Sequence, residues 1–290
     1  MDKAAVPGRL HDLAPGIFAA TAFAIADVTG KIVLVDGMDV LTLSTFRGLF
    51  SIAFLFVWMR VVAAPVPHTP QQRWISLGIG VLFAGVVFGI FKAIEAVAVP
   101  IAILCYFIYP LLTGIVAALL GMERLGWRGA AAALVAFLGL ALTVGAHPGG
   151  IALAGLGFAV GAAVCRVAVM LITRATLQQA DSTLTTWYSI LSSTAIFAAC
   201  SLATWTWHGP QTGYGWSAMI LLSLSTVIAV LALFVSIKRI GPFRTALVMN
   251  LEPLLATILS APILGEVITP VQAAGGAIML AALVAFQLRR

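Results

Sequence analysis

The sequence predicts an all-α polytopic membrane protein, with ten transmembrane helices arranged as a 5+5 inverted-topology repeat. Three observations carry that expectation. Of 290 residues, 62% are apolar and only 9% are charged, where a soluble domain carries about 25% charge. The mean hydropathy is +1.10, and apolar runs of membrane-spanning length, roughly 20 residues, recur along the chain. The two halves also match each other at a series of positions in one register. Together these exclude a disordered chain, a disulfide scaffold and an ordinary cytosolic enzyme.

The ten runs are 14–35, 40–63, 74–97, 99–120, 128–146, 150–172, 183–207, 216–237, 243–264 and 270–288. The first is too long for a signal-peptide core and is read as a retained span. Lys and Arg set the orientation. With the N-terminus in the cytoplasm, the inner loops and tails hold Lys3, Arg9, Arg60, Arg73, Arg124, Arg128, Arg174, Lys238, Arg239, Arg244, Arg289 and Arg290, which is 12 of the 16 basic residues. The outer loops hold none, and carry Asp36, Asp39 and Glu266 instead. Both termini are therefore expected in the cytoplasm. The net charge of +6 is a topology signal rather than a nucleic-acid footprint.

At an offset of 142–143 residues, Asp39 falls on Asp181, Trp74 on Trp216, Phe91 on Phe234, Pro110 on Pro253, Glu123 on Glu266 and Lys31 on Arg174. The halves are 1–147 and 148–290. Each has five spans, an odd number, so the second copy enters the membrane upside down. Such repeats underlie alternating access.

Chemistry inside the spans is sparse. Cys105, Cys165 and Cys200 fall in apolar runs and read as small buried side chains. The four histidines lie at run ends, so neither a metal site at depth nor a cofactor is expected. No Walker-type loop, HExxH or GxSxG occurs, which removes the usual signatures of an ATP-driven pump or an intramembrane protease. The chain is not read as an enzyme.

Pro110 and Pro253 lie mid-span. Each removes one backbone hydrogen bond and clashes with the carbonyl four residues back, that of Tyr106 and Met249 respectively. They are candidate hinges. Asp27, Lys31, Arg47, Lys92, Glu95, Arg166 and Glu252 lie within or near the ends of spans. Mid-membrane charge costs roughly 2.5–3.5 kcal/mol even on a lenient scale, so such groups face the bundle interior. Internal ion pairing is the competing role, above all for Lys92 with Glu95. A zwitterionic substrate needs a cation for its carboxylate and an acceptor for its ammonium. Lys31 or Arg47 can supply the first, and Asp27 or Glu252 the second. Tyr106, Tyr109, Trp187 and Tyr188 offer ring faces. Gly85-x-x-x-Gly89 and Gly157-x-x-x-Gly161 permit close helix approach, and packing within a monomer is the expected use.

Tyr106-Phe107-Ile108-Tyr109-Pro110-Leu111-Leu112 leading to Gly121-Met122-Glu123-Arg124-Leu125, and Asn250-Leu251-Glu252-Pro253-Leu254 leading to Leu264-Gly265-Glu266, resemble the EamA-type members of the drug/metabolite transporter superfamily. Phe23 stands where a Trp is usual, and Val267 and Ile268 replace the second Arg-Leu. The resemblance implies ten helices, a central cavity between two five-helix halves, and export of small metabolites from the inner membrane. Exporters of amino acids, aromatic ones included, belong to this group. Export of lipophilic cations or nucleosides is the alternative, with a channel or intramembrane enzyme more remote.

The orientation has a direct test. A single cysteine replacing Gly213 should react with impermeant thiol reagents added outside intact cells. Reaction only after the membrane is opened would invert the topology.

Overall fold

The computed structural model describes residues 10–62, 64–97, 99–123, 126–144, 152–205, 207–265 and 268–288. The basic tails, Arg124, His147 and Glu266 lie outside them. The described chain is all-α. Its helices are α1 (Leu10–Val35), α2 (Val40–Val61), α3 (Pro70–Ala96), α4 (Val99–Tyr106), α5 (Tyr109–Leu119), α6 (Trp127–Val144), α7 (Leu153–Thr176), α8 (Ser182–Thr204), α9 (Gly213–Ile240), α10 (Pro242–Met249), α11 (Leu251–Leu264) and α12 (Pro270–Leu288). The pairs α4–α5 and α10–α11 each form one broken span, so twelve helices make ten crossings. Eight of these are long and apolar enough to cross a membrane by length and composition. α6 and α12, of 18 and 19 residues, reach about 27–28 Å at 1.5 Å per residue, close to the ~30 Å hydrocarbon core.

The repeat is written into the helix caps. Asp39 accepts from the amides of Leu41 and Thr42, both at 3.0 Å. Its mate Asp181 does the same for Thr183 and Leu184 at 2.7 and 3.1 Å. Thr69 and Thr212, 143 residues apart, cap α3 and α9 through the amides of Gln72 and Gly215. Side-chain oxygens at these positions satisfy amides that have no partner within the helix. The Thr69–Gln72 capping box with Pro70 in the first turn also starts α3 four residues earlier than hydropathy indicates, because the cap sets the start independently of apolarity.

The two halves interleave. α1 packs on α9, and its repeat mate α7 packs on α3, the mate of α9. α2 meets α8 and α6 meets α12, each an element against its own counterpart. The halves are therefore not two bodies side by side, because each buries its helices mainly against the other. Water-driven burial is absent between helices in lipid, so close packing and interhelical hydrogen bonds carry the association. The Ser51 hydroxyl donates to the Ser223 carbonyl at 3.0 Å, and the Ser189 hydroxyl to the Ser76 carbonyl at 3.1 Å. Gly85 and Gly89 receive Cys165, Ala162 and the Phe158 carbonyl of α7, as expected for packing inside one chain. Gly157 and Gly161 meet no other element, because α7 turns that face outward. Cys105 and Cys165 are half-buried and Cys200 is exposed. The expectation of three buried thiols fails because an apolar run in lipid has an outward face as apolar as its inward one.

An apolar plug closes one end of the bundle. The end carrying Gly241 is filled by Ala19, Tyr109, Met170, Leu233, Phe243 and Leu247, all 5% exposed or less. It is tied by Arg174 Nη1 donating to the Lys238 carbonyl at 2.7 Å and by Lys238 Nζ donating to Ser182 Oγ at 2.8 Å. Glu123 Oε1 accepts from the Phe243 amide at the start of α10, at 3.3 Å. Burial pushes the Glu123 carboxyl above its usual range. His68 Nε2 donates to the Asp181 carbonyl at 3.1 Å, and burial holds its imidazole below the usual range.

A methyl group at Gly80 would overlap the Ser189 carbonyl and the Ser192 hydroxyl across the α3–α8 seam. Gly80→Ala should destabilise by ~1–3 kcal/mol. Gly161→Ala has open space and should match or exceed the parent protein, since Ala is the better helix former. Thermal unfolding of the purified protein in detergent makes the comparison.

Candidate functional site in the central cavity

The two broken spans start the site. α4 ends at Tyr106 and α10 at Met249, the two residues whose carbonyls the prolines block. Pro110 then falls in the first turn of α5, where a missing amide costs nothing. Both prolines were expected to kink continuous helices, but the spans are interrupted outright. The interruptions face protein rather than lipid. Phe107 is 5% exposed and Asn250 2%, as unsatisfied backbone in a bilayer requires.

Beside these breaks lies a cavity of about 690 Å³, within the ~300–1,000 Å³ of small-molecule sites. It runs from the middle of the bundle towards the end that carries Asp36. Its floor is Phe23, Phe83, Tyr106, Arg166, Ser189 and Glu252, and its far rim includes Ile94, Leu264 and Gln272.

Asp27 and Lys31 of α1, Arg47 of α2, Tyr106 of α4 and Glu252 of α11 all line it. Three expected site residues do not. Tyr109 is 1% exposed and stands behind Tyr106, ring centres 5.3 Å apart. Trp187 packs on Phe56 at 6.4 Å in the seam with Leu55 and Val227. Tyr188 lies at the sealed end, 5.7 Å from the His68 ring and 5.7 Å from the Arg73 guanidinium. Helical phase is the cause: on α8 the cavity face is Ser189, Ser193, Thr194 and Phe197. That i, i+4, i+8 spacing of Ser189, Ser193 and Phe197 was the available signal. Of the hinge candidates, Pro253 lines the cavity and Pro110 is buried behind it. Lys92 and Glu95 pair at 2.6 Å on an exposed face of α3, away from the cavity.

Arg166 is the principal residue the site assignment omitted. It is 4% exposed and lines the cavity floor. Its guanidinium carbon sits 5.2, 5.7 and 5.8 Å from the ring centres of Phe23, Phe83 and Tyr109. Arg47 and Arg166 both act electrostatically on Asp27, and Asp27 and Arg166 both act on Glu252. These charges depart from the repeat. At the repeat offset Asp27 meets Met170, Arg47 meets Ser189, Arg166 meets Phe23 and Glu252 meets Tyr109. The duplication supplies the frame, and these four cavity charges replace uncharged counterparts, while Lys31 keeps a charged one in Arg174. Among the described residues no cluster suited to a metal ion occurs.

Ten crossings around a largely apolar cavity lined by charges of both signs define a polytopic membrane protein with a small-molecule-sized site. The model of the EamA-like transporter family matches residues 14–145 and again 153–286, and the chain belongs to that family, within the drug/metabolite transporter superfamily. A solved crystal structure shares the fold, with a TM-score of 0.81 and 20% identity over 95% of this chain and 98% of its own. None of the curated proteins matches.

With the native cysteines replaced, Ser193→Cys and Thr257→Cys should react with a small hydrophilic thiol reagent. Val169→Cys, at a fully buried position, should stay unlabelled. Equal labelling of all three would mean that the cavity is not the solvent path.

Proposed function

We propose that the protein is a secondary transporter that exports amino acids, aromatic ones among them, by alternating access. It would work as a monomer in the inner membrane, with both termini cytoplasmic. The observation that carries this is a cavity whose walls are apolar and aromatic but whose lining holds charges of both signs, Asp27 and Glu252 with Lys31 and Arg47. An amino acid presents the complementary set. Its ammonium goes to Glu252 or Asp27, its carboxylate to a cation, and its apolar side chain to Phe83, Ile90, Tyr106 and Phe107. Tyr109, Trp187 and Tyr188 are left out of the binding set. In this orientation the Asp36 end, towards which the cavity runs, is external, and the apolar plug at the Gly241 end is internal. Pro110 and Pro253 act as paired hinges, because broken spans at matched points of inverted repeats let either end close.

Counterflow in liposomes tests the reading. Phenylalanine should compete for flux, and phenylethylamine and phenylpropionate, each lacking one charge, should be weaker by roughly five- to a hundred-fold, the equivalent of ~1–3 kcal/mol for a buried group left unpaired. Equal competition by all three would remove the zwitterion site. Competition by lipophilic cations and by no amino acid would make the protein a cation exporter acting through Asp27 and Glu252.

A further inference from the structure

We infer that Arg166 is the anchor for the substrate carboxylate, in place of Lys31 or Arg47. This rests on the amino-acid reading above and assigns one residue within it.

Charge balance comes first. Among the described residues, the cavity lining carries three cations, Lys31, Arg47 and Arg166, against two carboxylates, Asp27 and Glu252. Arg47 has Asp27 as the acid that acts on it, a carboxylate that Arg166 also reaches. Lys31 stands nearer the rim and is exposed. Arg166 lies at the floor and is 4% exposed.

Hydrogen bonding comes second. The Arg166 guanidinium is held by the faces of Phe23, Phe83 and Tyr109 rather than by carboxylate oxygens. Its Nε is buried without a geometrically aligned hydrogen-bond partner, and the Tyr109 hydroxyl is its polar side-chain neighbour. Ring faces attract a cation without using its N–H groups, so the fork that matches a carboxylate remains available. Unmet donors on a buried charged group are costly, and a carboxylate entering the floor would meet them.

Selectivity comes third. Glu252 lies within electrostatic reach of Arg166. A cation and an acid side by side suit the adjacent carboxylate and ammonium of an α-amino acid. A phosphate dianion would be repelled by Glu252 and Asp27. The ring cage also fixes the guanidinium plane, which a lysine ammonium at the same place would lack.

The test is calorimetric binding to purified protein, with Arg166→Gln and Arg166→Lys beside the parent chain. Phenylalanine should bind the parent more tightly than phenylethylamine or phenylpropionate. In Arg166→Gln the advantage over phenylethylamine should fall to near parity, while the advantage over phenylpropionate persists, because only the carboxylate has lost its partner. Arg166→Lys, which keeps the charge and guards against a folding failure, should shift the same ratio by a smaller factor. Equal weakening of all three ligands, or an unchanged phenylalanine-to-phenylethylamine ratio, would overturn the assignment and leave Arg166 a structural residue. If the parent binds no amino acid but binds benzoate or phenylpropionate, the amino-acid reading fails alone. Loss of that binding in Arg166→Gln then keeps the anchor, and its retention overturns it. A parent chain that binds no carboxylate overturns both.

Discussion

A bilayer interior offers no water to a backbone amide, a carbonyl or a charge, and the remaining features of this protein follow from that. Twelve helices satisfy most of the backbone internally. The two places where the backbone is not helical at depth, after Tyr106 and after Met249, must be wrapped in protein. The charged side chains face the same demand. Both solve it at one location, so the interruptions and the charges surround a single cavity. Polar groups that would each be a liability against lipid become, together, a site.

Duplication and inversion shape the frame around that site. Matched aspartates and matched threonines cap matched helices, at opposite ends of the bundle. The largest helix contacts run between the halves in symmetry-related pairs, α1 with α9 and α7 with α3. A single packing scheme is thus used twice, once in each direction across the membrane. Four of the five cavity charges, all but Lys31, do not obey it. Arg166 lies on the ring of Phe23, its own repeat mate, so the two copies of one position have diverged into a cation and the aromatic face that holds it. Symmetry provides two related packings of the bundle, and its breakage provides the chemistry.

The seal at the Gly241 end combines an apolar plug with a few polar ties, among them Glu123 on the first turn of α10. The tie joins the first half of the chain to the second across the closed mouth. Burial raises the Glu123 carboxyl, so ionising it costs the folded chain more than it costs an exposed glutamate. That contribution to stability is fully present below the ordinary glutamate range and is lost as pH rises through the raised value.

Ten spans, their order, the repeat register and the release of the Tyr106 and Met249 carbonyls were legible in the chain alone. Each depends on local properties: apolar length, the chemistry of proline, and residues that recur at a fixed interval. The capping role of Asp39 and Asp181 was visible only as a repeated letter. The rotation of each helix about its axis was not legible. In water, an amphipathic stripe marks the inward face. Here lipid and protein interior are both apolar, and the two faces of α8 look alike in sequence. Hence Trp187 and Tyr188 read as cavity walls, while the structure turns them to a helix seam and to the sealed end, and presents Ser189 and Ser193 instead. Arg166 was visible as a charge in a span. Only the packing of α7 against α1 and α3 brought it to the cavity floor, because helix phase is decided by the neighbours a helix meets and not by its own residues.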